Sequence, residues 1–325
     1  MTAASAVSTV LIMVKDKTAD ADGRSRLYSP FDAAIEAPKA PGGLYLVATP
    51  IGNLGDITLR ALELLAGADV IACEDTRVTG KLAQRYGIKT PLTPYHEHNA
   101  AEARPKLLAR LSQGQAVALV SDAGTPLISD PGYRLVSEAV EAGFAVIPLP
   151  GASAVLAALG VASLPTDRFF FEGFLPPKQA GRQKRIAELS LIPATLVLFE
   201  SGPRLGAALA DLAAVLGPRM AAICRELTKL HEEVRRGDLA ALAQDYAGDA
   251  ETRGEIVIVI APPADDVCSA VELDKLLRRA LARVSVKDAV GEVALATGRP
   301  RREVYQRALE INKDRRQKGG NNGAA

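Results

Sequence analysis

Tryptophan is absent from the 325-residue chain, and seven Phe and seven Tyr bring the aromatic share to only 4%. Its cores must therefore be built from Leu, Val, Ile and Ala. Cysteine is scarce: Cys73, Cys224 and Cys268 are odd in number, far apart and form no Cys-x-x-Cys pair. That excludes a disulfide framework and a zinc ribbon, and points to a reducing, cytoplasmic compartment. Charge of one sign is also missing, because 39 Lys and Arg balance 38 Asp and Glu to a net +1. No global field draws such a chain onto nucleic acid, so any RNA contact must come from local patches. The apolar segment at 6–14 is too short to span a bilayer. Residues 6–14 are apolar, but no basic residue precedes them and Lys15-Asp16-Lys17 follows without a small-residue cleavage site. They read as part of a poorly ordered extension over 1–41 rather than a targeting peptide.

What is present is globular usage, 48% hydrophobic and 24% charged. The length suits about two compact units plus tails. From Leu44 onward, apolar runs at 44–47, 69–73, 116–120 and 144–147 alternate with helical periodicity at 58–65, 79–86, 100–111 and 133–142. That pattern predicts a mostly parallel sheet covered by helices over 42–164, ending at Leu164-Pro165-Thr166. A second α/β unit is expected over 165–263, with strands at 168–172, 195–199, 220–224 and 255–260 and helices at 179–189, 203–216 and 238–246. After a Pro-rich linker, three short helices fill 264–312, and a Gly- and Asn-rich tail over 313–325 is expected to be disordered.

Several loops carry polar groups where predicted strands end. Ala116 to Val120 runs into Ser121-Asp122-Ala123-Gly124-Thr125-Pro126, and the first strand runs into Ala48-Thr49-Pro50-Ile51-Gly52-Asn53-Leu54-Gly55-Asp56. Neither has the Lys-Ser/Thr pair of a P-loop or the dinucleotide glycine spacing, which disfavours a nucleoside triphosphate. With Pro150-Gly151-Ala152-Ser153 they make three small-residue loops able to line one crevice with backbone donors and acceptors. Such a crevice suits a ligand with amino-acid and nucleoside parts. Glu74-Asp75-Thr76-Arg77 adds two acids and a guanidinium, fit to orient or deprotonate a hydroxyl, or simply to cap a helix. His96-Glu97-His98-Asn99 has too few neighbouring ligands for a metal site and reads as hydrogen bonding to a polar substrate. Arg225-Glu226-Leu227-Thr228-Lys229, with Glu232, Glu233, Arg235 and Arg236, is either a solvated charged face or part of a site. The basic loop around Phe174-Leu175-Pro176-Pro177-Lys178 suits a lid or an RNA contact.

Together these loops resemble the tetrapyrrole methylase superfamily and, within it, the ribosomal RNA small subunit methyltransferase I family. Phe171-Glu172-Gly173-Phe174-Leu175-Pro176 and Phe199-Glu200-Ser201 share in the resemblance, which spans about 42–261 and the helical end. It implies a homodimeric two-domain tetrapyrrole-methylase-like α/β fold with an interdomain cleft and a small C-terminal helical module. The family binds S-adenosylmethionine in that cleft and methylates a cytidine ribose 2′-oxygen in the decoding region of 16S ribosomal RNA, with no metal and no membrane. Carried over by position, cofactor contacts fall on Pro50, Asp122, Gly124, Thr125, Ile128, Ser153, Ala154, Phe199, Glu200 and Gly254. Ala100 stands where similar proteins carry an acid, leaving Glu102 nearby. The catalytic candidates are Glu74 or Asp75, and Glu226 with Lys229, while Arg77 and Arg225 would position phosphate or ribose. Open alternatives are an enzyme of the same fold acting on a tetrapyrrole or a protein side chain, and a non-catalytic RNA-binding assembly factor. The substrate particle is the free RNA or the 30S subunit. Basic residues of the terminal helices, Arg278, Arg279, Arg283, Lys287, Arg299, Arg301, Arg302 and Arg307, suit RNA phosphates or a docking face.

Overall fold

The computed structural model describes residues 26–30, 34–129, 132–248, 252–263, 270–297 and 300–319. The apolar run at 6–14, Asp130-Pro131, Cys268, Arg299 and the last residues of the tail lie outside the described residues. The chain divides into two compact units, Met1–Ser153 and Ala154–Ala325.

The first unit holds a five-stranded sheet of β3 (Gly43–Val47), β4 (Val70–Cys73), β5 (Leu92–Pro94), β6 (Ala116–Val120) and β7 (Val146–Leu149). Its order is β5-β4-β6-β3-β7, and every pairing is parallel. β4 and β6 are continuous, fully buried apolar runs because both of their faces are covered. Ile71, Cys73, Ala118 and Val120 face a core with Leu62 and Leu65 of α1 (Leu59–Gly67) and Leu82 of α2 (Thr76–Arg85). Their alternates Val70, Ala72, Val117 and Leu119 pack with Leu107 and Leu111 of α3 (Ala100–Ser112) and Leu135 of α4 (Tyr133–Glu141). Thr58 caps α1 by accepting from Ala61 N–H at 3.1 Å. The parallel order puts every strand's carboxyl end on one edge of the sheet, where the polar loops lie.

The disordered extension expected over 1–41 is corrected for its later residues. β1 (Leu27–Tyr28) pairs antiparallel with β2 (Ile35–Glu36), and Tyr28 is buried in the α1–α2 core. Ala40 N–H reaches Gly67 O at 3.0 Å, and a Cβ on Gly67 would collide with Pro38 O. Two-residue strands leave no periodicity to read, so only tertiary packing reveals them.

In the second unit, the sheet order is β11-β10-β12-β9-β8, formed by β8 (Phe169–Phe174), β9 (Thr195–Ser201), β10 (Met220–Arg225), β11 (Glu233–Asp238) and β12 (Glu255–Ile260). Only the β8–β9 pairing is parallel. α5 (Ala154–Ala162) packs on β10, β11 and β12, so this unit begins ahead of the boundary expected at Leu164. The sheet's main core is closed by Ile186 and Leu189 of α6 (Gln179–Leu189), Leu205, Leu209 and Leu212 of α7 (Gly202–Leu216), and Leu239 of α8 (Leu239–Asp245). Between α6 and α7, Arg182 and Asp211 form a buried ion pair at 2.6 Å, with Gln179 and Gln183 donating to the same carboxylate. The charged run from Arg225 to Arg236 contains the start of β11. This is an edge strand with no fully buried residue, so it tolerates charge.

The C-terminal helices α9 (Ala270–Leu281), α10 (Val286–Thr297) and α11 (Arg301–Gly319) share a core of their own, built on Leu273, Leu277, Val290, Val293, Val304 and Ile311. α11 continues past the end expected at Asn312, correcting the disordered tail for 313–319. The added residues are mostly Lys, Arg, Asp and Gln with no proline, so nothing there stops a helix.

Candidate functional site

In the first unit, backbone and side chains tie three strand-end loops together. Thr49 N–H donates to Gly124 O at 2.9 Å, and Gly124 N–H returns a bond to Thr49 O at 3.0 Å. Thr49 Oγ1 donates to Ser121 O at 3.1 Å, and Thr125 Oγ1 reaches Ala152 O at 3.3 Å. Gly124 has φ +79°, a conformation that favours glycine, and a Cβ there would sit 3.4 Å from Ile51 Cγ2. Leu127 and Ser129 also adopt left-handed backbone, at φ 76° and 64°, flanking the exposed Ile128. Such conformations cost about 1–3 kcal/mol each and cluster at ligand clamps.

The acids beside these loops are not equivalent. Asp75 caps α2, accepting from Arg77 N–H at 2.8 Å, and the Arg77 guanidinium grips the same carboxylate at 2.6 Å. Those bonds from Arg77 hold its pKa at about 2. Asp75 N–H donates to Asp122 Oδ1 at 3.0 Å, and burial pushes the Asp122 carboxyl above its ordinary value. Burial also raises Glu74, Asp122 adds to the rise, and the His96 charge opposes it. The Glu74 carboxylate makes no hydrogen bond among the described residues. His96 N–H donates to Asn99 Oδ1 at 2.8 Å, while its Nδ1 is buried without a partner among the described residues.

The second unit gathers a separate set. Glu200 is buried at the end of β9, where Oε1 accepts from Ser201 N–H at 2.8 Å and faces Arg204 Nε at 3.2 Å. Its Oε2 is buried with no partner among the described residues. Phe199 packs edge-on against Phe171 and Phe174, with centroids 4.9 and 5.7 Å away. Glu226 Oε1 accepts from Lys229 Nζ at 2.8 Å and from Glu255 N–H at 2.9 Å, pinning a loop in which Glu226 and Thr228 have positive φ. Burial raises the Glu226 carboxyl, but the bonds from Lys229 and the Glu255 amide outweigh it and leave the pKa lowered. Gly254, at φ +103°, lies against Glu226 so closely that a Cβ would fall 2.6 Å from Glu226 Cγ.

Residues 43–243 match the Tetrapyrrole (Corrin/Porphyrin) Methylases family model, and residues 269–312 match the RsmI C-terminal HTH domain. The chain is 53% identical over 279 residues to ribosomal RNA small subunit methyltransferase I of Mesorhizobium japonicum, covering 85% of this chain and 95% of that one. The chain belongs to the ribosomal RNA small subunit methyltransferase I family. The namesake from Escherichia coli O157:H7 is 44% identical, covering 84% of this chain and 97% of its own. Among solved structures, diphthine synthase matches with a TM-score of 0.54 at 21% identity, covering 67% of this chain and 89% of that one. That likeness shows the fold alone.

Within this family member, the first-unit candidates Pro50, Asp122, Gly124, Thr125, Ile128 and Ser153 lie on the strand-end loops, and Glu74, Asp75 and Arg77 follow β4. In the second unit, Glu226, Lys229 and Gly254 come together, Phe199 and Glu200 lie in the last three residues of β9, and Ala154 opens α5. Sequence reasoning missed the ties from Thr49 to Ser121 and Gly124. Their signal was a Thr and a Ser in otherwise apolar surroundings, which becomes legible only once the strands are paired.

Proposed function

We propose that the chain transfers a methyl group from S-adenosylmethionine to the ribose 2′-oxygen of a cytidine in the decoding region of 16S ribosomal RNA. The family membership carries the reaction class, and the strand-end loops fit the cofactor. Gly124 leaves its backbone approachable, and Thr49 and Thr125 fix the loop walls. In the second unit taken by itself, Glu200 Oε2 is a buried acceptor with no partner among the described residues. Pro50, Asp122, Ile128 and Ser153 are proposed contacts in the first unit, with Ala154, Phe199 and Gly254 proposed in the second. When bound, the cofactor supplies an electrophilic sulfonium methyl, whose transfer leaves the hydroxyl proton for the protein to remove.

Glu74 is the best-suited acceptor of that proton. Asp75 is held by Arg77 at a pKa of about 2, and Glu226 is engaged by Lys229 and the Glu255 amide. Glu74 is free of such bonds and its burial makes it a stronger base. Arg77 and Arg225 are proposed to steady phosphate or ribose, although Arg225 is paired with Glu233 at 3.1 Å. Arg278, Arg279, Lys287 and Arg302 are exposed and make no ion pair among the described residues, which supports an RNA contact by the helical module. The 30S particle as substrate, a homodimeric state and a cytoplasmic location belong to the same proposal. Incubating the protein and labelled cofactor with small subunits, free ribosomal RNA and a tetrapyrrole precursor tests it. Label on a cytidine ribose is expected; label only on the precursor, or on none despite cofactor binding, overturns it.

A further inference from the structure

Three observations converge beside Glu74. Tyr95 N–H donates to Cys73 O at 2.7 Å, closing the Cys73–Pro94 end of the β4–β5 ladder, so Glu74 and His96 lie just past the same end of that ladder. The His96 backbone is pinned by Asn99, which also donates to Pro94 O at 3.0 Å. With the main chain fixed on both sides, the ring keeps a buried Nδ1 that no described residue satisfies. A buried polar atom left unmatched in a fixed turn is unfavourable unless another state uses it.

We infer that His96 is a positioning residue for Glu74 in the proposed methyl transfer, steadying the carboxylate that takes the proton from the substrate hydroxyl. The inference rests on the reading of Glu74 as base. In that step the hydroxyl oxygen forms a bond to the methyl carbon as the donor's S–C bond breaks and its electron pair leaves with the sulfur as a thioether. The O–H bond breaks, its electron pair stays on the ether oxygen, and the proton passes to the Glu74 carboxylate and then to water. The charged groups facing Glu74 are Asp75 beside it, Asp122 from the loop after β6 and His96 from the loop after β5. Two of these are acids that raise the Glu74 carboxyl, and His96 is the one that acts in the opposite direction.

The test follows the Glu74 carboxyl by NMR in cofactor-free protein, together with the pH profile of single-turnover methyl transfer. His96→Gln is expected to raise the Glu74 titration midpoint by about half a pH unit or more and to move the acid limb of the rate upward with it. His96→Asn provides a second variant, and cofactor affinity checks folding. If neither midpoint nor acid limb moves in either variant while Glu74→Gln abolishes transfer, the inference fails and the base assignment stands. If Glu74→Gln transfers at full rate, the base assignment fails and the inference falls with it.

Discussion

Replacing Gly254 by Ala probes the clamp around Glu226. The new Cβ would lie 2.6 Å from Glu226 Cγ and 2.7 Å from its Oε1, at a φ of +103°. The backbone strain costs about 1–3 kcal/mol. Displacing Glu226 loses its bonds from Lys229 Nζ and Glu255 N–H, worth a further ~1–3 kcal/mol. G254A is therefore expected to destabilise by roughly 2–6 kcal/mol, the sum of those ranges. E226A alone loses only the bonds. The double variant suffers the strain and loses the bonds once, so adding E226A to G254A should cost little more. Urea unfolding followed by circular dichroism measures all three, and a double-variant cost equal to the sum of the singles within about 0.5 kcal/mol refutes the reasoning.

Asp75 has a folded pKa of about 2 against an ordinary 3.8, so its stabilisation is complete above the ordinary value and is lost as pH falls toward 2. Asp75→Asn should flatten that acid limb in a pH series of thermal unfolding, and an unchanged limb contradicts the Arg77 clamp. Gly124→Val, which fills the space before Ile51 and strains φ, should weaken cofactor binding by about tenfold or more in calorimetry. Deleting residues after Asp265 should weaken RNA binding and flatten its salt dependence by about 0.7–0.9 per lost phosphate contact, leaving cofactor affinity unchanged. Unchanged RNA affinity would assign the module to docking.

The parallel core was legible because strands such as Ala116–Val120 are apolar throughout and end in turn residues. β11 was not, since Glu233 to Asp238 carries four charged residues and no apolar alternation, which an edge strand tolerates. Nor was the split before α5, whose apolar sequence suits either sheet until packing on β10 and β12 decides it. In the site, the loops showed themselves through Gly, Pro and Asp. The ranking of the acids did not, because Arg77 folds back on Asp75 and Lys229 on Glu226 through side-chain geometry that spacing leaves open.

The most direct measurement of the central claim pairs cofactor affinity with single-turnover methyl transfer to small-subunit RNA in Glu74→Gln. The account predicts affinity within about twofold of the parent and transfer slower by about 100-fold or more. Transfer at the parent rate, with affinity intact, would contradict it.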